Sequence, residues 1–207
     1  YKQIPLTDDF RIDPQDYKTE NGGIIFPNPN APTGCEESLD MIEYIVKANP
    51  DSVVIIDEAY IDFGAESALS LIDKYENLLV IQTFSKSRSM AGMRIGFAMG
   101  NKKLIKYMND VKFSINSYTM TPLTQLCGAE AIRDEKYFQE TVSKIVATRE
   151  NTKTELAKLG FTFTDSKSNF IFASHASVPA EKIFNELKKR GIYVRYWNKP
   201  RISNHLR

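Results

Sequence analysis

Lys86 sits in Thr83-Phe84-Ser85-Lys86-Ser87-Arg88-Ser89-Met90-Ala91-Gly92-Met93-Arg94-Ile95-Gly96, where hydroxyls, an amine and guanidinium groups crowd directly behind an apolar run. Two further polar clusters follow apolar runs in the same manner. Pro27-Asn28-Pro29-Asn30-Ala31-Pro32-Thr33-Gly34 comes after Ile24-Ile25-Phe26, and Asp57-Glu58-Ala59-Tyr60 comes after Val53-Val54-Ile55-Ile56. An amine held in a dry, preorganised site attacks carbonyl carbon, and a carboxylate nearby keeps a bound heterocycle protonated. Lys86 and Asp57 are candidates for those roles. Thr83, Ser85 and Arg94 add hydroxyl and guanidinium donors, and the guanidinium fork matches a pair of phosphate oxygens. A phosphorylated aromatic aldehyde suits such a set.

Each of these residues has a plainer reading when taken alone. Most lysines are solvated, an aspartate at a strand end is commonly a cap, a tyrosine packs in the core with a wet hydroxyl, and surface arginines pair with carboxylates. Their joint arrangement is what argues for a site, and it depends on the elements that carry them. Val53-Val54-Ile55-Ile56 and Leu78-Leu79-Val80-Ile81 have no polar alternation, as expected of strands buried on both faces. Between the apolar runs, Leu39, Ile42 and Val46 predict an amphipathic helix over 36–49 that Pro50 stops, and a second helix is predicted near 67–75. The resulting β-α-β-α-β order implies a parallel sheet with right-handed crossovers, whose ligands bind beyond the carboxyl ends of the strands. All three polar clusters then fall on one edge.

Residues 1–21 read as a polar connector, with Pro5 and Pro14 discouraging helix. Beyond Gly100, helices are predicted over 101–112 and 121–133, the second with Pro122 in its first turn. Phe138, Val142, Ile145, Thr152, Leu156 and Leu159 mark one long helix over 136–159, its apolar seam interrupted at Arg149 and its end capped by Gly160. Strands at 169–173 and 192–194, around a helix with the face Ala180, Ile183, Phe184 and Leu187, suggest a second, smaller α+β domain. The domains expected are therefore 1–135, part of a large domain, and 136–207, a linking helix with part of a small one.

The 207 residues provide for a sizeable core, and 27 basic against 26 acidic residues leave no basic field for nucleic acid or anionic lipid. Cys35 and Cys127 form no Cys-x-x-Cys pair, and His175 and His205 are the remaining metal-type ligands, which argues against a zinc site and for a reduced, cytoplasmic setting. No apolar run approaches the roughly 18 residues of a membrane span. Gly92, Gly96 and Gly100 do not spell a dinucleotide fingerprint.

Asn-Pro-Asn-Ala-Pro-Thr-Gly, Asp-Glu-Ala-Tyr, and Ser-Lys followed by Ala-Gly-Met-Arg-Ile-Gly resemble the signature segments of the pyridoxal-phosphate-dependent aminotransferases of fold type I. The ending Val194-Arg-Tyr-Trp-Asn-Lys-Pro-Arg-Ile-Ser-Asn-His-Leu-Arg207 is most similar to the branch of that family acting on histidinol phosphate. The resemblance implies pyridoxal 5'-phosphate as cofactor, 2-oxoglutarate as amino acceptor with glutamate as its product, and a homodimer. It implies Lys86 as the Schiff-base lysine and proton carrier, Asp57 at the pyridine nitrogen, and Tyr60 at the ring's phenolic oxygen. Thr83, Ser85 and Arg94 would then bind the cofactor phosphate, Arg207 the substrate's anionic end, and Arg195 the substrate phosphate.

Many relatives carry asparagine immediately before Pro-Thr-Gly, where this chain has Ala31. Either Asn30 takes that role or Tyr60 bears it alone. The resemblance also implies an N-terminal arm, a glycine-containing turn for the phosphate, a residue stacking on the ring, and a continuing small domain. None of these is found within the chain, which is therefore expected to be the middle and late part of a longer enzyme. An aromatic-amino-acid transaminase or threonine-phosphate decarboxylase would keep the same cofactor residues. A non-catalytic fragment that binds cofactor or a partner is the reading of a different class, and a nucleotide-binding α/β module has only the sheet in its favour.

Overall fold

The computed structural model describes residues 1–207. The β-branched runs form a four-stranded sheet in the order β1 (Ile24–Pro27), β2 (Val54–Asp57), β3 (Leu78–Thr83), β4 (Gly96–Gly100). β1, β2 and β3 are parallel, with Pro27 beside Asp57 and Asp57 beside Ile81, so their carboxyl ends line up along one edge as expected. β4 runs antiparallel to β3 and is an addition to the parallel sheet predicted. Gly96-Phe97-Ala98-Met99-Gly100 lacks the β-branched residues that mark strands, so its pattern carries little signal. It pairs because the chain reverses after β3, with Arg94 in the left-handed region at φ 57°. Glycine at position 100 permits the close approach, since a Cβ there would lie 2.8 Å from the Leu78 carbonyl oxygen.

One face of the sheet is covered by α1 (Leu39–Ala48), which starts where the Ser38 hydroxyl accepts the Met41 N–H at 3.3 Å. It buries Ile42, Ile45 and Val46 in a cluster with Val54, Ile56, Leu78 and Val80, all with no solvent exposure. Each such side chain contributes about 1.5–3 kcal/mol relative to exposure, which makes this cluster the rigid base of the strand ends.

The helix expected near 67–75 is instead a 3-10 turn at Ala68–Leu71. The Glu58 carboxylate accepts from the Ser67 hydroxyl at 2.6 Å and the Ala68 N–H at 2.7 Å. The Leu71 carbonyl then takes both the Lys74 and Tyr75 N–H groups, so the turn closes on itself before a second turn can form. The connector over 1–21 likewise holds a single short 3-10 turn, Pro14–Tyr17.

After β4 come α2 (Lys102–Ile115), α3 (Pro122–Arg133) and the long α4 (Glu135–Lys158), close to the predicted spans. Thr121 caps α3, and Gly160 ends α4 at φ 84°. Arg149, where the seam of α4 breaks, is buried and donates from Nη1 to the Phe63 and Ser168 carbonyls at 2.8 Å each.

The C-terminal region is built from smaller pieces. β5 (Phe161–Phe163) pairs antiparallel with β6 (Ala173–His175), and α5 (Ala180–Lys189) follows. The strand expected at 169–173 shrinks to its last residue and two more, and 192–194 forms no strand. The reason lies in the pairing. β5 takes one edge of β6 and Leu206 bridges to Ala173, so 192–194 has no ladder to join and Ile192 and Tyr193 stay exposed. No helix is long and apolar enough to cross a membrane.

Candidate active site

Strand register sets the first half of the site. Asp57 ends β2, half-buried between β1 and β3, and its Oδ1 accepts the Ala59 N–H at 3.0 Å. That bond fixes the turn carrying Tyr60, while Oδ2 makes no hydrogen bond or ion pair with the protein. Glu58, beside it, points the other way into the fold and is 1% exposed. Its carboxylate takes Ser67, Ala68 and the Gln82 side-chain amide, and burial pushes its pKa above the ordinary glutamate value. The neighbouring carboxylates thus have opposite tasks, Asp57 facing the strand-end edge and Glu58 holding the crossover.

Beyond β3, the Thr83 hydroxyl lies 3.1 Å from the Ile95 carbonyl and 2.9 Å from the Ser85 hydroxyl, and it accepts the Ser85 N–H at 3.1 Å. Thr83 and Ser85 are therefore brought together as a hydroxyl pair. Lys86 follows, with Nζ 5.4 Å from the centroid of the Tyr60 ring and no carboxylate partner. The loop is anchored on both sides of it. The Ser87 hydroxyl bonds the Asp62 carboxylate, and the Arg88 guanidinium bonds the Ala131 carbonyl and lies 4.0 Å from the Phe138 ring.

Two predicted members are engaged elsewhere. The Arg94 backbone neighbours the Thr83–Ile95 contact, but its exposed guanidinium donates to the Ala91 carbonyl at 2.7 Å within its own loop. Asn30 accepts the Thr33 hydroxyl at 2.9 Å, so its side-chain oxygen closes the Pro-Thr-Gly loop. Asn28 does related structural work, exchanging side-chain hydrogen bonds with the Glu37 backbone at 2.7 and 3.2 Å.

The C-terminal segment completes the arrangement. Arg195 and Arg207 exchange backbone hydrogen bonds at 2.8 and 2.9 Å, and their guanidinium groups lie 5.9 and 5.7 Å from the Trp197 ring. Neither pairs with a carboxylate. The Arg207 guanidinium also sits 4.7 Å from the Phe170 ring, which meets the Tyr60 ring edge-on at 5.1 Å. Lys86, Tyr60, Phe170 and Arg207 thereby form a continuous row from the strand-end loop to the C-terminal segment. Phe170 escaped the sequence reading, since one aromatic residue in an apolar run looks like core.

The donor set suits pyridoxal phosphate: a free amine, a carboxylate with one unengaged oxygen, a phenol, and a hydroxyl pair for a phosphate, all on one strand edge. The unpaired arginines across Phe170 suit a substrate anion.

The model of the family described as aminotransferase class I and II matches residues 1–207. The chain is 55% identical over 206 residues to a histidinol-phosphate aminotransferase of Brachyspira hyodysenteriae, with 99% of this chain and 58% of that protein aligned. It is 54% identical over 207 residues to one of Lactococcus lactis subsp. cremoris, covering 100% of this chain and 58% of the relative. The chain thus spans 58% of the length of these curated relatives. Among solved structures, the histidinol-phosphate aminotransferase of Clostridium acetobutylicum superposes with a TM-score of 0.86 at 24% identity over 97% of this chain and 63% of the other. That of Sinorhizobium meliloti, in complex with pyridoxal-5'-phosphate, gives 0.87 at 21% identity over 99% and 58%. At such identities the likeness speaks for the fold.

Proposed function

The chain belongs to the class I and II aminotransferases, and from that premise we propose that it transfers the amino group of histidinol phosphate to 2-oxoglutarate, with pyridoxal phosphate held at Lys86, Asp57 and Tyr60. The row from Lys86 to Arg207 carries this reading, because it sets an amine and an anion-binding guanidinium on either side of two aromatic rings. The names of the relatives at 54–55% identity support the choice of substrate.

When bound, the cofactor supplies an aldehyde carbon that bonds amines and a protonated ring that accepts an electron pair. The chain's own residues do the rest. Lys86 Nζ would hold the cofactor covalently and, once freed by the substrate amine, would carry the proton from the substrate carbon bearing nitrogen to the carbon that had been the cofactor's aldehyde. Asp57 would keep the proton on the ring nitrogen, and the Tyr60 hydroxyl would serve the ring's phenolic oxygen. Thr83 and Ser85 would hold the phosphate, with Arg94 beside them once its guanidinium left the Ala91 carbonyl. Arg207 binds the substrate's anionic end, and Arg195 helps hold its phosphate. Phe170, between Tyr60 and Arg207, would wall the space between cofactor and anion.

The same proposal includes a homodimer in the cytoplasm, in keeping with the free thiols of Cys35 and Cys127. It divides the chain into 1–135, which holds the cofactor, and 136–207, which holds the substrate. The test is glutamate formation from histidinol phosphate and 2-oxoglutarate, with histidinol and phenylalanine as unphosphorylated donors. The reading predicts a preference of at least about 10²-fold in kcat/KM for the phosphorylated donor. Indifference to the phosphate would contradict it.

A further inference from the structure

Arg149 breaks the apolar seam of α4, and its guanidinium touches the backbone on both sides of the aromatic row. Nη1 donates at 2.8 Å to the carbonyl of Phe63, the last residue of the 3-10 turn Ile61–Phe63 that directly follows Tyr60. The same atom donates at 2.8 Å to the Ser168 carbonyl, just ahead of Phe170. Nε pairs with Glu150 Oε1 at 2.8 Å, and the Arg149 side chain is 6% exposed. A buried guanidinium is costly unless its donors are satisfied, and an apolar residue would have continued the seam. Its retention where two loops converge therefore calls for a gain other than packing.

We propose that Arg149 is a positioning residue that sets the spacing between Tyr60 and Phe170, and through Phe170 the reach from Lys86 to Arg207. It acts on the backbone behind each ring and touches neither cofactor nor substrate. Its kinetic consequence rests on the amino-transfer reading, whereas the clamp is a property of the chain alone. A lysine at this position keeps the charge but lacks the planar fork that spans two carbonyls while pairing a carboxylate.

The experiment compares Arg149→Gln and Arg149→Lys with the unsubstituted protein, as expressed from its gene, by amide hydrogen exchange and by steady-state kinetics. Exchange is expected to rise about 10-fold in residues 60–65 and 166–172 of the Gln variant and to hold steady in β2 and β3, with the Lys variant intermediate. KM for histidinol phosphate should rise about 10-fold while the pyridoxal phosphate dissociation constant stays within about twofold. Unchanged exchange in both loops would overturn the proposal. So would an equal rise across β2 and β3, or parallel losses of cofactor affinity and KM, which mark a residue that only stabilises the fold. If the Gln variant does not fold, the Lys variant decides by the same exchange criterion. Absence of amino transfer in the unsubstituted protein would sink the functional reading and leave the exchange result to judge the clamp.

Discussion

The strand-end edge and the C-terminal segment hold their functional groups by different means. Asp57 and Thr83 are set by the parallel register of β1, β2 and β3, over side chains with no solvent exposure such as Ile56 and Val80. Arg195 and Arg207 are held by a reciprocal pair of backbone hydrogen bonds to each other, by the Leu206–Ala173 pair beside them, and by ring contacts with Trp197 and Phe170. The first region resists displacement because moving it would open a packed core. The second can shift by adjusting a few aromatic contacts and a loop. Under the proposed function, the difference would place the reaction in the rigid part and the choice of substrate in the adjustable part, with Phe170 and Arg149 where the two meet.

Substitutions should therefore separate by kinetic parameter. Lys86→Ala is expected to have the largest effect, lowering kcat by about 10⁴-fold, the scale of a positioned acid–base group; single-turnover kinetics in the presence of small amines checks it. Asp57→Asn should lower kcat by about 10²–10³-fold, as loss of a preorganised charge does, with the donor KM little altered. Arg207→Gln should do the reverse, raising KM for histidinol phosphate by about 10- to 100-fold with kcat far less affected, the range for a charged hydrogen bond. If Arg207→Gln instead released pyridoxal phosphate, or Asp57→Asn acted mainly on KM, the division between the regions would break down.

A smaller effect tests how adjustable the C-terminal region is. His205 stacks on Phe172 at 4.4 Å and meets Phe10 edge-on at 5.4 Å, and its Nδ1 is buried without a hydrogen bond. Burial lowers its pKa from the ordinary 6.5. The neutral ring is thus the form the fold prefers, so its contribution is complete above the ordinary value and is lost as pH falls through the folded one. Thermal melts should show Tm falling between pH 7 and pH 5 from this group, a slope that His205→Phe flattens. Arg201 ties the same segment to the N-terminal strap by donating to the Leu6 and Thr7 carbonyls, so hydrogen exchange there should follow the melt.

The two regions also differ in how much of them the sequence revealed. The β-branched run at Val53–Ile56 and the apolar run at Leu78–Ile81 identified β2 and β3 because strands buried on both faces leave a continuous signature, and the polar clusters behind them located the edge. β4 left none, being glycine-flanked and paired only because the chain reverses at Arg94. Residues 192–194 had the composition of a strand but no free edge to join, which is a matter of tertiary pairing. At the site, Lys86, Tyr60 and the Thr83–Ser85 pair converge, while Asn30 and the Arg94 guanidinium bond within their own loops. Side-chain direction in a loop depends on local hydrogen bonds that spacing does not encode. Arg149 did leave a trace, the interruption in the α4 seam, which becomes informative only once Phe63 and Ser168 are seen to converge on it.

Under the proposed function, Lys86 is the residue that carries the cofactor. Borohydride reduction of the protein incubated with pyridoxal phosphate, followed by peptide mass mapping, tests it directly. A phosphopyridoxyl group on Lys86 Nζ is expected as the dominant modification, lost in Lys86→Ala. A phosphopyridoxyl group placed mainly on other lysines, or unchanged labelling in that variant, would contradict it.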